Sequence, residues 1–147
     1  MQLHREWLLQ DLRQLNTDRF AVTQLKAEIQ TLELEYGAIK ATSYDKIPAG
    51  GSGNSQQDKL ELNIAKRQEL AASLNATESH VQDMERLLAQ LTPDDRKLIE
   101  KLEVGRGSYT AEAVAEEIGI EVRQVHNRKK AAIDKLSRLR FGQGYRP

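Results

Sequence analysis

From Leu15 onward the apolar residues return at heptad steps: Leu15, Val22, Leu25, Ile29, Leu32, Tyr36 and Ile39. A seam with that spacing lies along one side of an α-helix and must be covered by another helix. Leu8 and Leu12 carry it towards the N-terminus with less regularity, and Asn16-Thr17-Asp18 is a place where the helix can loosen. The pattern predicts helix from about residue 3 to about residue 36.

A second stripe runs through Leu60, Ile64, Leu70 or Ala71, Leu74, Val81, Met84, Leu88 and Leu91, interrupted by Arg67 and Thr77, whose stems can lie along the seam. Both helices would be about 50 Å long at about 1.5 Å per residue. Between them Ala41 to Gln56 contains Pro48 and Gly50-Gly51-Ser52-Gly53-Asn54-Ser55, which is expected to continue neither helix. Matched stripes joined by such a linker (residues 41–56) predict an antiparallel hairpin over residues 1–91. The same seams can pair between chains, so a homodimer through the N-terminal helices is the rival arrangement.

Leu91-Thr92-Pro93-Asp94-Asp95 is a helix start: Thr92 as N-cap, Pro93 in the first turn, and two carboxylates at the positive end of the helix dipole. It sets a domain boundary near residue 91. Residues 92–103 read as a first short helix with Leu98, Ile99 and Leu102 on its buried face, followed by the turn Val104-Gly105-Arg106-Gly107-Ser108. Thr110 caps a second helix carrying Val114, Ala115 and Ile118, and Gly119 supplies its left-handed stop. A last helix from about Val122 to about Arg140 would bury Val125, Ala132, Ile133, Leu136 and Leu139. The domain spans 92–141, and a mobile tail is predicted over 142–147.

Composition sharpens this to an all-α fold. Only 5% of the 147 residues are aromatic, 39% are hydrophobic and 30% charged, a balance that suits long solvent-exposed helices better than one large core. With no cysteine, disulfides, thiolate zinc sites and a cysteine nucleophile are excluded. No apolar run approaches the roughly 20 residues of a membrane helix, so no membrane partner and a cytoplasmic location are expected.

The candidate chemistry is equally sparse away from the C-terminus. His4, His80 and His126 lack metal-ligand spacing, and Gly50-Gly51-Ser52-Gly53 has no Lys-Ser or Lys-Thr after it to make a phosphate loop. Trp7 reads as packed against a neighbour, and no pair of carboxylates is set for acid–base work. No catalytic residue, metal site or cofactor is predicted, and the chain is not expected to be an enzyme.

Charge is segregated. The chain is neutral overall, yet residues 121–147 hold eight basic side chains against Glu121 and Asp134. A basic helix after a Gly119 turn is the outline of a helix-turn-helix, in which the second helix enters the major groove and the residues facing away from the core read bases. With Val125, Ala132 and Leu136 inward, the base-facing candidates are Arg123, Gln124, His126, Asn127 and Lys130. Arg suits guanine, and Asn and Gln suit adenine. Arg128, Lys129, Lys135 and Arg138, with Thr110 on the preceding helix, are the phosphate-facing candidates.

Thr110, Val114-Ala115, Ile118-Gly119-Ile120, Val125, Arg128, Ala132 and Leu136 together resemble region four of bacterial sigma factors, over roughly residues 92–140. With the N-terminal helices, Ser43-Tyr44-Asp45 and the Ile47–Gly53 linker, the whole chain resembles the ArpU and RinA type of phage and prophage late-gene activator. That resemblance implies double-stranded DNA at a phage promoter as partner and activation of late, packaging or lysis genes, in a bacterial host; RNA polymerase or a second subunit is the expected partner of the helical hairpin. Two other readings stand beside it: a DNA-packaging oligomer of the small terminase kind, and a coiled-coil adaptor.

Overall fold

The computed structural model describes residues 2–45 and 53–142. Among them the chain is all-helical, with no strand. It forms α1 (Gln2–Asp45), α2 (Gly53–Leu88), α3 (Pro93–Ile99) with a π-helical turn at Glu100–Val104, α4 (Ala111–Ile118) and α5 (Val122–Phe141). The backbone of 41–45 and 53–56, expected in the linker, is helical, and α1 passes through Asn16-Thr17-Asp18 without a break. Linker residues 46–52 and tail residues 143–147 lie outside the described residues.

The C-terminal helices begin and end on local chemistry. Thr92 Oγ1 accepts the Asp95 N–H at 3.3 Å and its carbonyl accepts the Arg96 N–H at 2.8 Å, with Pro93 in the first turn. Thr110 Oγ1 accepts from Ala113 N at 3.1 Å. Gly119 ends α4 at φ 81°, a left-handed conformation that a Cβ would strain, and Ala115 O accepts both the Gly119 and Ile120 N–H groups.

The described residues divide into two compact units, one within Met1–Arg19 and His80–Pro147 and the other within Phe20–Ser79, so α1 and α2 each contribute to both. The first unit has an apolar core. Leu8, Leu12 and Leu15 of α1 meet Met84 and Leu88 of α2, Leu98 and Ile99 of α3, Val114 of α4, and Val125, Ile133 and Leu136 of α5, all buried. Each such side chain contributes roughly 1.5–3 kcal/mol.

A polar clasp lies alongside that core. Arg19 donates from Nε to Glu85 at 2.9 Å and from Nη1 and Nη2 to Glu100 at 3.0 and 2.9 Å, and Arg96 reaches Glu85 at 2.7 Å. The hydrogen bond to Glu100 is the main reason the Arg19 guanidinium is held even more firmly protonated than usual.

The second unit is built differently. Val22, Leu25, Ile29, Leu32, Tyr36 and Ile39 face Leu60, Leu70, Ala71 and Leu74, but every one is only half-buried, and among the described residues Asn63 alone is fully buried there. Its Nδ2 donates to Leu32 O at 2.9 Å and its Oδ1 accepts from Arg67 Nε at 2.8 Å, while Arg67 lies over the Tyr36 ring at 4.8 Å. With Lys26 beside Glu78 at 3.4 Å, partners descend α2 as they ascend α1, so within this unit the helices run antiparallel.

Two expected core positions differ from the structure. Ile64 is 36% exposed and Asn63 takes the seam, because the register that seats Leu60, Arg67, Leu70 and Leu74 runs through 63. Leu139 is 49% exposed. The inward side of α5 passes through Ile133, Leu136 and Ser137 to Arg140, which pairs with Asp11 at 2.8 Å, leaving Leu139 off the face.

Candidate nucleic-acid interface

α5 is long enough to have an inward and an outward side along its full length, and its cations are divided between them. Val125, Ala132, Ile133 and Leu136 fix the inward side against α3 and α4. The four cations nearest that side have partners within the fold. Arg128 donates from Nε to Asp95 Oδ1 at 3.0 Å, with Nη2 at 2.9 Å from the same oxygen. Lys129 Nζ lies 2.6 Å from Glu103 Oε1, Lys135 Nζ donates to Gln90 O at 2.8 Å, and Arg140 holds Asp11.

The Lys129 pair is the most demanding of these. Glu103 is buried, its side chain 4% exposed, and its other oxygen, Oε2, lies 3.5 Å from Arg13 Nε without a hydrogen bond. A carboxylate so placed requires its cations, since removing one leaves an uncompensated charge out of water. The π-helical turn makes the arrangement possible: Gly105 N–H donates to Glu100 O at 2.8 Å, five residues back, and the widened turn sends both Glu103 and Val104 inward. Asn16 Nδ2 steadies it by donating to Val104 O at 3.2 Å.

The outward side is different. Arg123, Gln124, His126, Asn127 and Lys130 are all exposed, and so is Arg138 further along. Gln124 has one constraint. Its Oε1 accepts the Glu121 N–H at 3.1 Å, half of a capping box that lets α5 start without Ser or Thr at its cap. Bidentate pairing with adenine needs that oxygen as well, so in this rotamer it would have to use the second lone pair, while the N–H donors remain free for guanine N7 or O6 or thymine O4. Asn127 makes no such local bond among the described residues. Thr110 is exposed at the start of α4, its hydroxyl oxygen already accepting from the backbone.

α4 is oriented by a charged cluster on its outer side. Glu117 lies 2.7 Å from Lys97 Nζ and is also bonded by Lys101, whose ammonium sits 4.7 Å over the Tyr109 ring. The bond from Lys101, then that from Lys97, holds the Glu117 carboxyl below the usual carboxylate range, and the bond to Glu117 holds Lys97 above the usual lysine value.

Of the ten positions the sequence singles out, the structure therefore brings Arg123, Gln124, His126, Asn127, Lys130 and Arg138 onto the exposed surface of one helix. Arg128, Lys129 and Lys135 are tied to the fold. The partners that hold them, Asp95, Glu103 and Gln90 O, lie 33, 26 and 45 residues away in sequence, beyond the reach of local spacing. His4, His80 and His126 remain apart: His4 stacks on Phe141 at 4.8 Å and meets Trp7 edge-on, and His80 lies 3.6 Å from Asp18. Among the described residues no group of His, Asp and Glu could hold a metal ion, and no helix is long and apolar enough to cross a membrane.

No protein-family model matches this chain, and comparison with curated proteins and with solved structures finds no match.

Proposed function

We propose that this protein is a sequence-specific double-stranded DNA-binding transcription regulator, in which α4, the Gly119 turn and α5 act as a helix-turn-helix and the α1–α2 hairpin carries a protein contact, with RNA polymerase or a second subunit as its partner. A phage or prophage late promoter is the setting that the sigma-region-four-like and ArpU/RinA-like pattern suggests. The single observation that carries the reading is the division of α5. Arg128 and Lys129 are held by carboxylates of the fold and Lys135 by one surface hydrogen bond, whereas the first three turns leave Arg123, Gln124, His126, Asn127 and Lys130 exposed where a recognition helix meets base edges.

Within this reading Asn127 is the adenine reader, because its amide keeps both donor and acceptor, and Arg123 and Lys130 address guanine or the backbone nearby. Arg138 is the phosphate contact. Lys129, through Glu103, holds α5 in place and does not touch DNA.

Selection of duplexes from a random pool, followed by binding across a salt series, tests this. One enriched motif is expected. Asn127→Ala should lose about 1–3 kcal/mol of discrimination at one base pair. Arg138→Ala should weaken binding to every duplex and lower the salt slope by roughly one counterion. Absence of any enriched motif, with Asn127→Ala weakening chosen and scrambled duplexes alike, would remove the regulator reading in favour of non-specific DNA packaging. The exposed apolar residues of the second unit keep that packaging oligomer as the rival.

A further inference from the structure

Within the first three turns of α5 the outward side carries a single apolar side chain among its polar ones. Val125 is buried and Val122 packs against the core, whereas Ala131 is exposed. Ala131 is one helical turn after Asn127, about 6 Å further along the axis and about 40° round, and so on the same face. Leu139, the other exposed apolar residue of α5, lies about three turns beyond Asn127 and about 120° round, off that face. Ala131 is also set in a recess of the helix surface, which Asp134, Lys135, Arg138 and Leu139 complete. Lys135 donates to Gln90 O at 2.8 Å and leaves the alanine uncovered.

Asn127 fixes how near this surface comes to a base pair. Asparagine is short, and its two hydrogen bonds to adenine N6 and N7 require the helix to lie close to the floor of the major groove. Ala131 is then carried against the edge of a base pair one or two steps away, since about 6 Å of helix spans nearly two rises of about 3.4 Å. A purine there would turn its N7 acceptor towards a methyl group and leave it without a donor. Cytosine would present a bare C5 edge, with a gap beside the alanine. Thymine offers its C5-methyl group, which gains from apolar contact.

We infer that Ala131 is a specificity-determining residue, its methyl group reading the C5-methyl group of a thymine one or two base pairs from the adenine addressed by Asn127. The inference rests on the DNA-binding reading and adds to it a base chosen by shape, without a hydrogen bond.

Deoxyuridine tests it, because it differs from thymidine only in that methyl group. In the duplex selected by the full-length protein, each thymine is replaced by uracil in turn and binding is measured. One replacement, one or two base pairs from the pair that Asn127→Ala ceases to distinguish, should weaken binding about fourfold, the contribution of one buried methyl group. Ala131→Gly should bind the thymine and uracil forms of that duplex alike and still discriminate at the Asn127 base pair. Ala131→Ser, which keeps the helix and sets a hydroxyl against the thymine, should lose most of the difference as well. If no uracil weakens binding, or if both variants still prefer thymine at that position, the inference is overturned while the enriched motif leaves the regulator reading standing. Absence of any enriched motif overturns both.

Discussion

The two units are made of the same two long helices, and they are stabilised in opposite ways. Between residues 1–19 and 80–142 the seam of α1 and α2 is completed by α3, α4 and α5, and Leu8, Leu12, Leu15, Met84 and Leu88 leave water entirely. Between residues 20 and 79 the seam has only its own two sides, and not one apolar side chain among the described residues is fully buried. Two helices can cover only a stripe of each other, whereas a third layer closes a core. The first unit is thus finished within the chain, and it seats α5 against a closed core. The second leaves its apolar residues partly exposed.

The largest test of this contrast lies in the closed unit. Lys129→Ala should destabilise the protein by about 3–5 kcal/mol by stranding the Glu103 carboxylate. Urea unfolding measures it, and Lys129→Met combined with Glu103→Leu should recover most of the loss. A phosphate-contact role for Lys129 would instead leave stability unchanged and weaken DNA binding.

Next comes a matched pair of truncations. Leu88→Ala, in the closed unit, should cost about 2–5 kcal/mol. Leu74→Ala, half-buried in the open one, should cost about half as much, since less of its surface leaves water. Equal losses in the unfolding midpoint would mean that the two units are packed alike. Thr92→Ala should cost about 1 kcal/mol through the lost cap on α3.

Smaller effects probe the open unit and the pH response. Asn63→Leu should leave helix content intact and raise the thermal midpoint slightly while loosening the pairing register, because a buried polar residue specifies register at some cost in stability. Cross-linking that still finds a single register would contradict this. For Glu117 the folded carboxyl is depressed below its unfolded value. Its contribution is therefore present above the unfolded carboxylate range and lost as pH falls through the folded value. Glu117→Gln should flatten the acid side of the stability profile and, because it frees Lys97 from the bond that raises it, flatten the alkaline side as well.

Much of the helix layout can be read from the sequence because its determinants are local. Thr92-Pro93, Thr110 and Gly119 each act within a few residues, and the structure uses all three as start or stop signals. What escaped local reading depends on partners far along the chain. Ile64 is more apolar than Asn63, but the seam is chosen by the facing helix, which offers Leu32 O to an amide. Leu139 continues the spacing of α5, but Asp11 draws Arg140 into the inward position. Lys129 and Arg128 look like surface cations until Glu103 and Asp95 arrive from the π-helical turn and α3. Each of these is a polar group whose partner could not be counted by periodicity. The exposed candidates on α5, by contrast, follow from eliminating the core positions, and that needs only the helical repeat.

The contrast between a closed and an open unit is tested most directly by amide hydrogen exchange of the full-length protein over a wide range of concentration. Helices α3 and α5, with the first turns of α1, should be strongly protected at every concentration. Amides in 20–41 and 55–79 should exchange far faster than these in dilute solution, because their seam is only half-buried. Equal protection of both regions in dilute solution, unchanged on concentration, would contradict the account.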